Sequence, residues 1–140
     1  MQQLCSKWQS WTPWFLSILR IIAAFTFFPS GTVKLLGWPF PMPEGNAAPF
    51  MSQIWIGGVL ELVGGLLLLL GLGTRPVAFI LSGMLAVAYF QFHAPGGFWP
   101  SANGGLPAVL FCFIFLYISA AGAGPLSIDS LIGRQRSPED

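Results

Sequence analysis

Residues 54–76, IWIGGVLELVGGLLLLLGLGTRP, are apolar enough to cross a bilayer, yet they place a carboxylate, Glu61, near their middle. A charged side chain at the centre of a membrane helix costs about 2.5–3.5 kcal/mol on insertion scales, so it persists where it meets a partner or serves a function. Two cations lie in the preceding apolar stretch. Arg20 and Lys34 share one helical face with Ala23, Ala24, Phe27 and Gly31. In the second stretch Gly57, Glu61, Gly64 and Gly65 line one face, a small-residue stripe that lets another helix approach closely. Arg20, Glu61 and Lys34 are therefore a candidate buried polar site. Antiparallel packing sets Glu61 level with Phe28, about 9–12 Å along the axis from either cation. Both long side chains can cover most of that gap. Arg20 is the first expected partner and Lys34 the second.

A second constellation sits at the other polar boundary. His93, the single histidine, follows the third apolar stretch, and with Asn103, Glu44 and Lys34 it forms a candidate outer-mouth site. Histidine is the residue type that exchanges protons near neutral pH, although a histidine at a helix C-terminus also has a purely structural reading. The loops above it, GWPFPMPEGNAAPF and HAPGGFWPSANGG, fit a lid over the mouth or an aromatic belt at headgroup level. Arg75 and Asp129 form a third pair, expected to anchor the turn between the second and third spans to the C-terminal segment. Cys5 and Cys112 are too far apart for a Cys-x-x-Cys redox pair, which argues against a self-cycling thiol oxidase. One histidine argues against a bis-His haem, and no metal site is expected.

The elements that position these residues follow from composition. The chain has 140 residues, 54% hydrophobic and 8% charged, whereas about a quarter of a soluble domain is charged. The expected fold class is an all-α integral membrane four-helix bundle, with spans at Trp14–Leu36, Ile54–Leu72, Val77–Phe92 and Leu106–Ala121. Residues 1–12 and 125–140 are read as cytoplasmic segments around a four-span domain, 13–124. Lys7, Arg75, Arg134 and Arg136 gather on one side, so the positive-inside rule places both termini in the cytoplasm. The N-terminus carries no small-residue cleavage site, so the first span reads as retained. A net charge of +1 supplies no basic stripe for nucleic acid. Pro29 is expected to kink the first span and free the carbonyl near Phe25, with Ser30 and Thr32 re-satisfying such groups. Thr74 is the expected N-cap of the third span, with Pro76 in its first turn, and Ser127 that of a short interfacial turn near the C-terminus.

Taken in order, RIIAAFTFFPSGTVKLLG, ELVGGLLLLLGLGTRPVA and HAPGGFWPSANGGLPAVLFCFIFLYISAAGAGPLSID resemble the DoxX family of small bacterial four-helix membrane proteins. The resemblance runs from Leu19 to Leu131. It rests on Arg with Lys-Leu-x-Gly, Glu-x-x-Gly-Gly with Thr-Arg, and a terminal Ser-x-Asp. It implies a multi-pass protein of the bacterial inner membrane. The family name derives from a subunit associated with a membrane thiosulfate:quinone oxidoreductase, so the resemblance points to an auxiliary or quinone-facing subunit of such a complex. The chain shows no flavin, iron–sulfur or haem motif, so no intrinsic cofactor is expected and the candidate ligand is a quinone. The expected partners are the lipid bilayer and other membrane or redox subunits, with homo-oligomerisation open. In that setting Arg20, Glu61 and Lys34 fit either donors and a proton relay for a quinone, or an ion pair that locks the first two spans. The alternative function is a non-catalytic accessory or scaffold subunit that stabilises a larger membrane assembly. A transport role would require oligomerisation, and the similar layout of the two halves is only a weak sign of the repeat it would use.

Overall fold

The computed structural model describes residues 2–43, 45 and 47–135, with side chains described for residues 8–133 of that set. The chain runs as α1 (Gln2–Phe27), α2 (Pro29–Leu36), α3 (Gln53–Leu70), α4 (Thr74–Ala88), α5 (Leu106–Ala121) and α6 (Ile128–Gln135). A π-helical turn, Tyr89–His93, and a 3-10 turn, Ala94–Gly96, extend α4. Three stretches are long and apolar enough to cross a bilayer: Trp8–Leu36 with 29 residues, Gln53–Leu70 with 18 and Thr74–Gly96 with 23. The 16 residues of α5 give it a length of about 24 Å. The result is the expected all-α membrane bundle.

The break in the first span falls where proline chemistry requires it. The Phe28 amide still closes on the Ala24 carbonyl at 3.0 Å, but Pro29 has no N–H to continue the ladder and becomes the first residue of α2. The Thr32 hydroxyl donates to the carbonyls of Pro29 at 2.8 Å and Trp38 at 2.9 Å, which ties α2 to the loop that follows. Ser30 is exposed.

Beyond the break, α2 lies directly on α3. A Cβ on Gly31 would sit 2.5 Å from the Leu62 nitrogen and 2.6 Å from the Gly58 carbonyl oxygen, so only glycine allows this crossing. A Cβ on Gly65 would meet the Phe28 side chain at 2.6 Å. Phe28 is therefore level with Gly65, and Glu61 is level with Gly31. The expected level of Glu61 beside Phe28 is corrected by about one helical turn, because backbone contact at the glycines sets the register.

Phe27, Leu68, Leu81, Phe115 and Ile118 fill the interior, with the rings of Phe27 and Phe115 edge to face at 5.0 Å. Ile22, Phe25, Val63, Phe79 and Phe113 remain on the outside as a surface suited to lipid. The bundle thus has a turn end, with the α3–α4 turn and α6, and a loop end, with residues 37–43, 47–52 and 97–105.

Candidate functional site

At the loop end, Lys34 Nζ donates to Glu61 Oε1 at 2.5 Å. Lys34 occupies the last turn of α2, where a cation complements the helix C-terminus. Its stem passes over Gly58, where a Cβ would come within 2.9 Å of the Lys34 Cβ. Glu61 is 4% exposed, and its second oxygen, Oε2, is buried without a hydrogen-bond partner. A buried acceptor left open is costly, so such an atom marks a place where a proton or a donor belongs.

Two cavities meet at this pair. One, of about 560 Å³, lies between α3 and α4 and is walled by Gly57, Leu60, Ile80, Met84 and Val87. The other, of about 500 Å³, lies between α2, α4 and α5 and is walled by Phe27, Val33, Leu85, Pro107 and Phe111. Lys34, Met42, Glu61, Ala88 and His93 border both. Apolar walls around a few convergent polar groups are the usual make-up of a small-molecule site, and the volumes suit one.

His93 reaches the cavities from the π-helical turn, a distortion frequent at functional sites. Its Nδ1 is 3.3 Å from the Asn103 carbonyl oxygen, and its ring stacks on Tyr89 at 6.3 Å. The two constellations expected from the sequence are therefore partly one site, since His93 shares its cavities with Lys34 and Glu61. Asn103 meets His93 as expected, but through its backbone carbonyl, while its side chain is engaged elsewhere. Its amide donates to the Gly97 carbonyl at 2.6 Å and the Tyr89 hydroxyl at 3.3 Å, and its Oδ1 accepts the Gly105 amide at 2.8 Å. Those bonds organise the 97–105 loop. Glu44 lies outside the described residues. Gln53 and Gln91 border the first cavity and hydrogen-bond to each other across the gap between α3 and the π-helical turn. The sequence reading missed both, although Gln91 is a polar residue within an apolar stretch.

Arg20 does not meet Glu61, which corrects the first expected pairing. It lies about eleven residues, or roughly 16 Å along the helix, from the level of Glu61. Fully buried, it donates to the carbonyls of Ala123 at 2.9 Å and Leu69 at 2.9 Å, and also to those of Leu68 and Leu126. The Leu68 carbonyl also accepts the Gly71 amide at 3.1 Å, and the guanidinium adds a second donor there and reaches the Leu69 carbonyl beside it.

Arg75 and Asp129 are likewise corrected as a pair. Arg75 donates to the carbonyls of Ala120 at 2.5 Å and Ser119 at 3.3 Å, near the C-terminus of α5. Asp129 accepts the amides of Gly73 and Thr74, each at 2.8 Å, while its own amide donates to the Gly71 carbonyl at 2.9 Å. Gly73, not Thr74, holds the cap position of α4, and Asp129 provides the capping acceptor from a distant segment. Both residues do join the α3–α4 turn to C-terminal elements, through backbone groups instead of each other. Partial burial pushes the Asp129 carboxyl upward, but the Thr74 and Gly73 donors and the Arg20 charge outweigh it and hold it below the usual aspartate value. Ser127 caps α6 as expected, its hydroxyl accepting the Ser130 amide at 3.1 Å.

Comparison with known proteins follows the same lines. An uncharacterized protein of Haemophilus influenzae is 44% identical over 125 residues, covering 87% of this chain and 93% of the relative. A second uncharacterized protein of that organism is 32% identical over 127 residues, covering 84% of this chain and 82% of the relative. No solved structure matches. The DoxX family model matches residues 15–94, which hold α2, α3, α4, half of α1, and with them Arg20, Lys34, Glu61 and His93. On that match, and with its apolar helical bundle, the chain belongs to the DoxX family of membrane proteins.

Proposed function

We propose that this chain is an auxiliary, quinone-facing subunit of a membrane oxidoreductase complex, multi-pass in the bacterial inner membrane with both termini cytoplasmic. One observation carries the reading. Glu61 is buried with one oxygen on Lys34 Nζ at 2.5 Å and the other unpartnered, on a wall shared by two otherwise largely apolar cavities. A quinone head needs an apolar slot for its ring and donors for its oxygens. Lys34 is a donor at the slot, and His93 borders it. Quinone reduction consumes electrons, supplied by a redox subunit of the complex, and an equal number of protons. In this reading Glu61 takes up a proton at Oε2 and holds it beside the ring, Lys34 fixes the ring oxygen, and His93 lies on the side facing the loops.

The scaffold reading also has an observation in its favour. The Lys34–Glu61 bond sits beside the Gly31–Gly58 crossing and holds α2 on α3. Mass spectrometry on the protein extracted from its native membrane in mild detergent separates the two. The quinone-facing reading expects a retained quinone and a redox protein with the wild type. It also expects Glu61→Gln to assemble normally while quinone-linked turnover of the complex falls about 100-fold or more, the usual scale for losing a proton-transfer group. Recovery with a non-redox assembly and no quinone moves the function to a scaffold.

A further inference from the structure

The cavity between α3 and α4 has a neighbour on the same helix pair. A smaller groove of about 210 Å³ adjoins it towards the turn end, between Val63, Gly64 and Leu67 of α3 and Val77 and Leu81 of α4. Leu60 and Ile80 line both spaces, so the two lie side by side. From the level of Glu61 to that of Leu67 the groove descends about 9 Å along the helix. Its lining side chains are aliphatic, and its floor is the Leu81 side chain packed on Gly64, where a Cβ would come within 2.9 Å of Leu81 Cδ2. Leu60, Val63 and Ile80 along its rim are exposed, so it opens sideways, towards where lipid would lie.

We infer that the ligand of the Lys34–Glu61–His93 site is a tailed membrane quinone, its hydrocarbon chain lying in the α3–α4 groove and its head entering sideways from the bilayer. This rests on the quinone reading above and adds the tail and the route. The juxtaposition argues for it. A largely apolar cavity holding an open buried acceptor adjoins an aliphatic groove that runs along α3 and α4, which matches an amphipathic molecule whose head and tail both need a place. A water-soluble ligand would have no use for the channel. A diacyl lipid would bring a bulky charged headgroup to a cavity whose walls are mostly apolar. The Gln53–Gln91 bond spans the upper end of the same gap, and below it the aliphatic rims of α3 and α4 stand exposed.

The test uses the full-length chain, delipidated in detergent. Binding is measured for a decyl-substituted benzoquinone and for the same ring with a methyl in place of the tail, in wild type and in Val63→Trp. Val63 lines the groove but not the polar cavity, and its exposed position lets a larger side chain enter without disturbing the core. Leu67→Trp serves as a second, independent block. The expected result is that the wild type binds the decyl compound about 10-fold or more tightly than the methyl one, since each buried methylene strengthens binding several-fold. Both tryptophan variants lose that preference while their affinity for the methyl compound is unchanged. Equal binding of the two compounds by the wild type overturns the groove and leaves the quinone reading standing. Binding of neither overturns both. A tail preference that survives both tryptophans assigns the tail to another surface and overturns the groove.

Discussion

Arg20 shows how a guanidinium is carried into a membrane bundle. Its donors meet the carbonyls that end α3 and those of the 123–126 segment, so one side chain joins α1, α3 and the approach to α6. Arg20→Met takes the guanidinium away from the part-buried carbonyls of Leu69, Ala123 and Leu126. It should cost at least about 3 kcal/mol, read as a lower unfolding midpoint in detergent, and Arg20→Lys should not rescue it because one compact ammonium cannot span the same fork. Asp129 acts at the same end through the first amides of α4. Asp129→Ala should cost about 1 kcal/mol, the usual value of a lost cap. Its sign with pH is fixed by the lowered carboxyl. The group titrates lower folded than unfolded, so its stabilisation is complete above the unfolded value near pH 3.9 and is lost as pH falls through the folded one. The stability difference between wild type and Asp129→Ala should therefore shrink in acid, and a difference that grows there would contradict the capping geometry.

At the scale of elements, the crossing of α2 over α3 decides the site. Gly31 presses against backbone, which cannot yield as a side-chain tip can. Gly31→Ala should destabilise the protein by about 1–3 kcal/mol and weaken the Lys34–Glu61 pair that depends on the register. Gly83 in α4 is the control, since a Cβ there meets nothing within 4 Å. Gly83→Ala should leave stability unchanged or raise it by up to about 1 kcal/mol through helix propensity. Thermal unfolding of the two variants side by side checks the contrast. The kink is the second device. The chain ends α1 at Phe27 and restarts at Pro29, and in α2 Lys34 lies over Gly58. The π-helical turn does the equivalent for His93 at the end of α4.

For the whole molecule, polar chemistry is divided between the two ends. The turn end carries arginines and an aspartate bonded to helix termini, whereas the loop end carries an ion pair with an open oxygen between two cavities. The proposed orientation has a direct readout. A fluorescent protein fused after Asp140 should fold and fluoresce on the cytoplasmic side, and Ala102→Cys in the 97–105 loop should react with a membrane-impermeant thiol reagent added from outside. The opposite labelling pattern would invert the topology and bring the Glu61 cavities to the cytoplasmic half.

Much of this was written in local chemistry. Charge depletion and hydropathy were enough for a membrane bundle, the missing N–H of Pro29 for the kink, and the small-residue spacing around Glu61 for a buried carboxylate facing another helix. Such features depend on a residue and its near neighbours, so the sequence by itself determined them. Partner choice did not follow from it. One helical turn is about 5.4 Å, so a shift of one turn in the register of α2 against α3 changes which cation reaches Glu61. That register is set by Gly31 meeting the backbone of Gly58 and Leu62, a contact between segments that composition and periodicity do not encode. The same holds for Arg20 and Asp129, whose partners are backbone groups of helix ends and of the 123–126 segment, a kind of group every residue carries and that is therefore unmarked in the sequence. Only the tertiary structure decided that Lys34 holds Glu61, that Arg75 and Asp129 serve different helices, and that His93 shares the cavities of the ion pair.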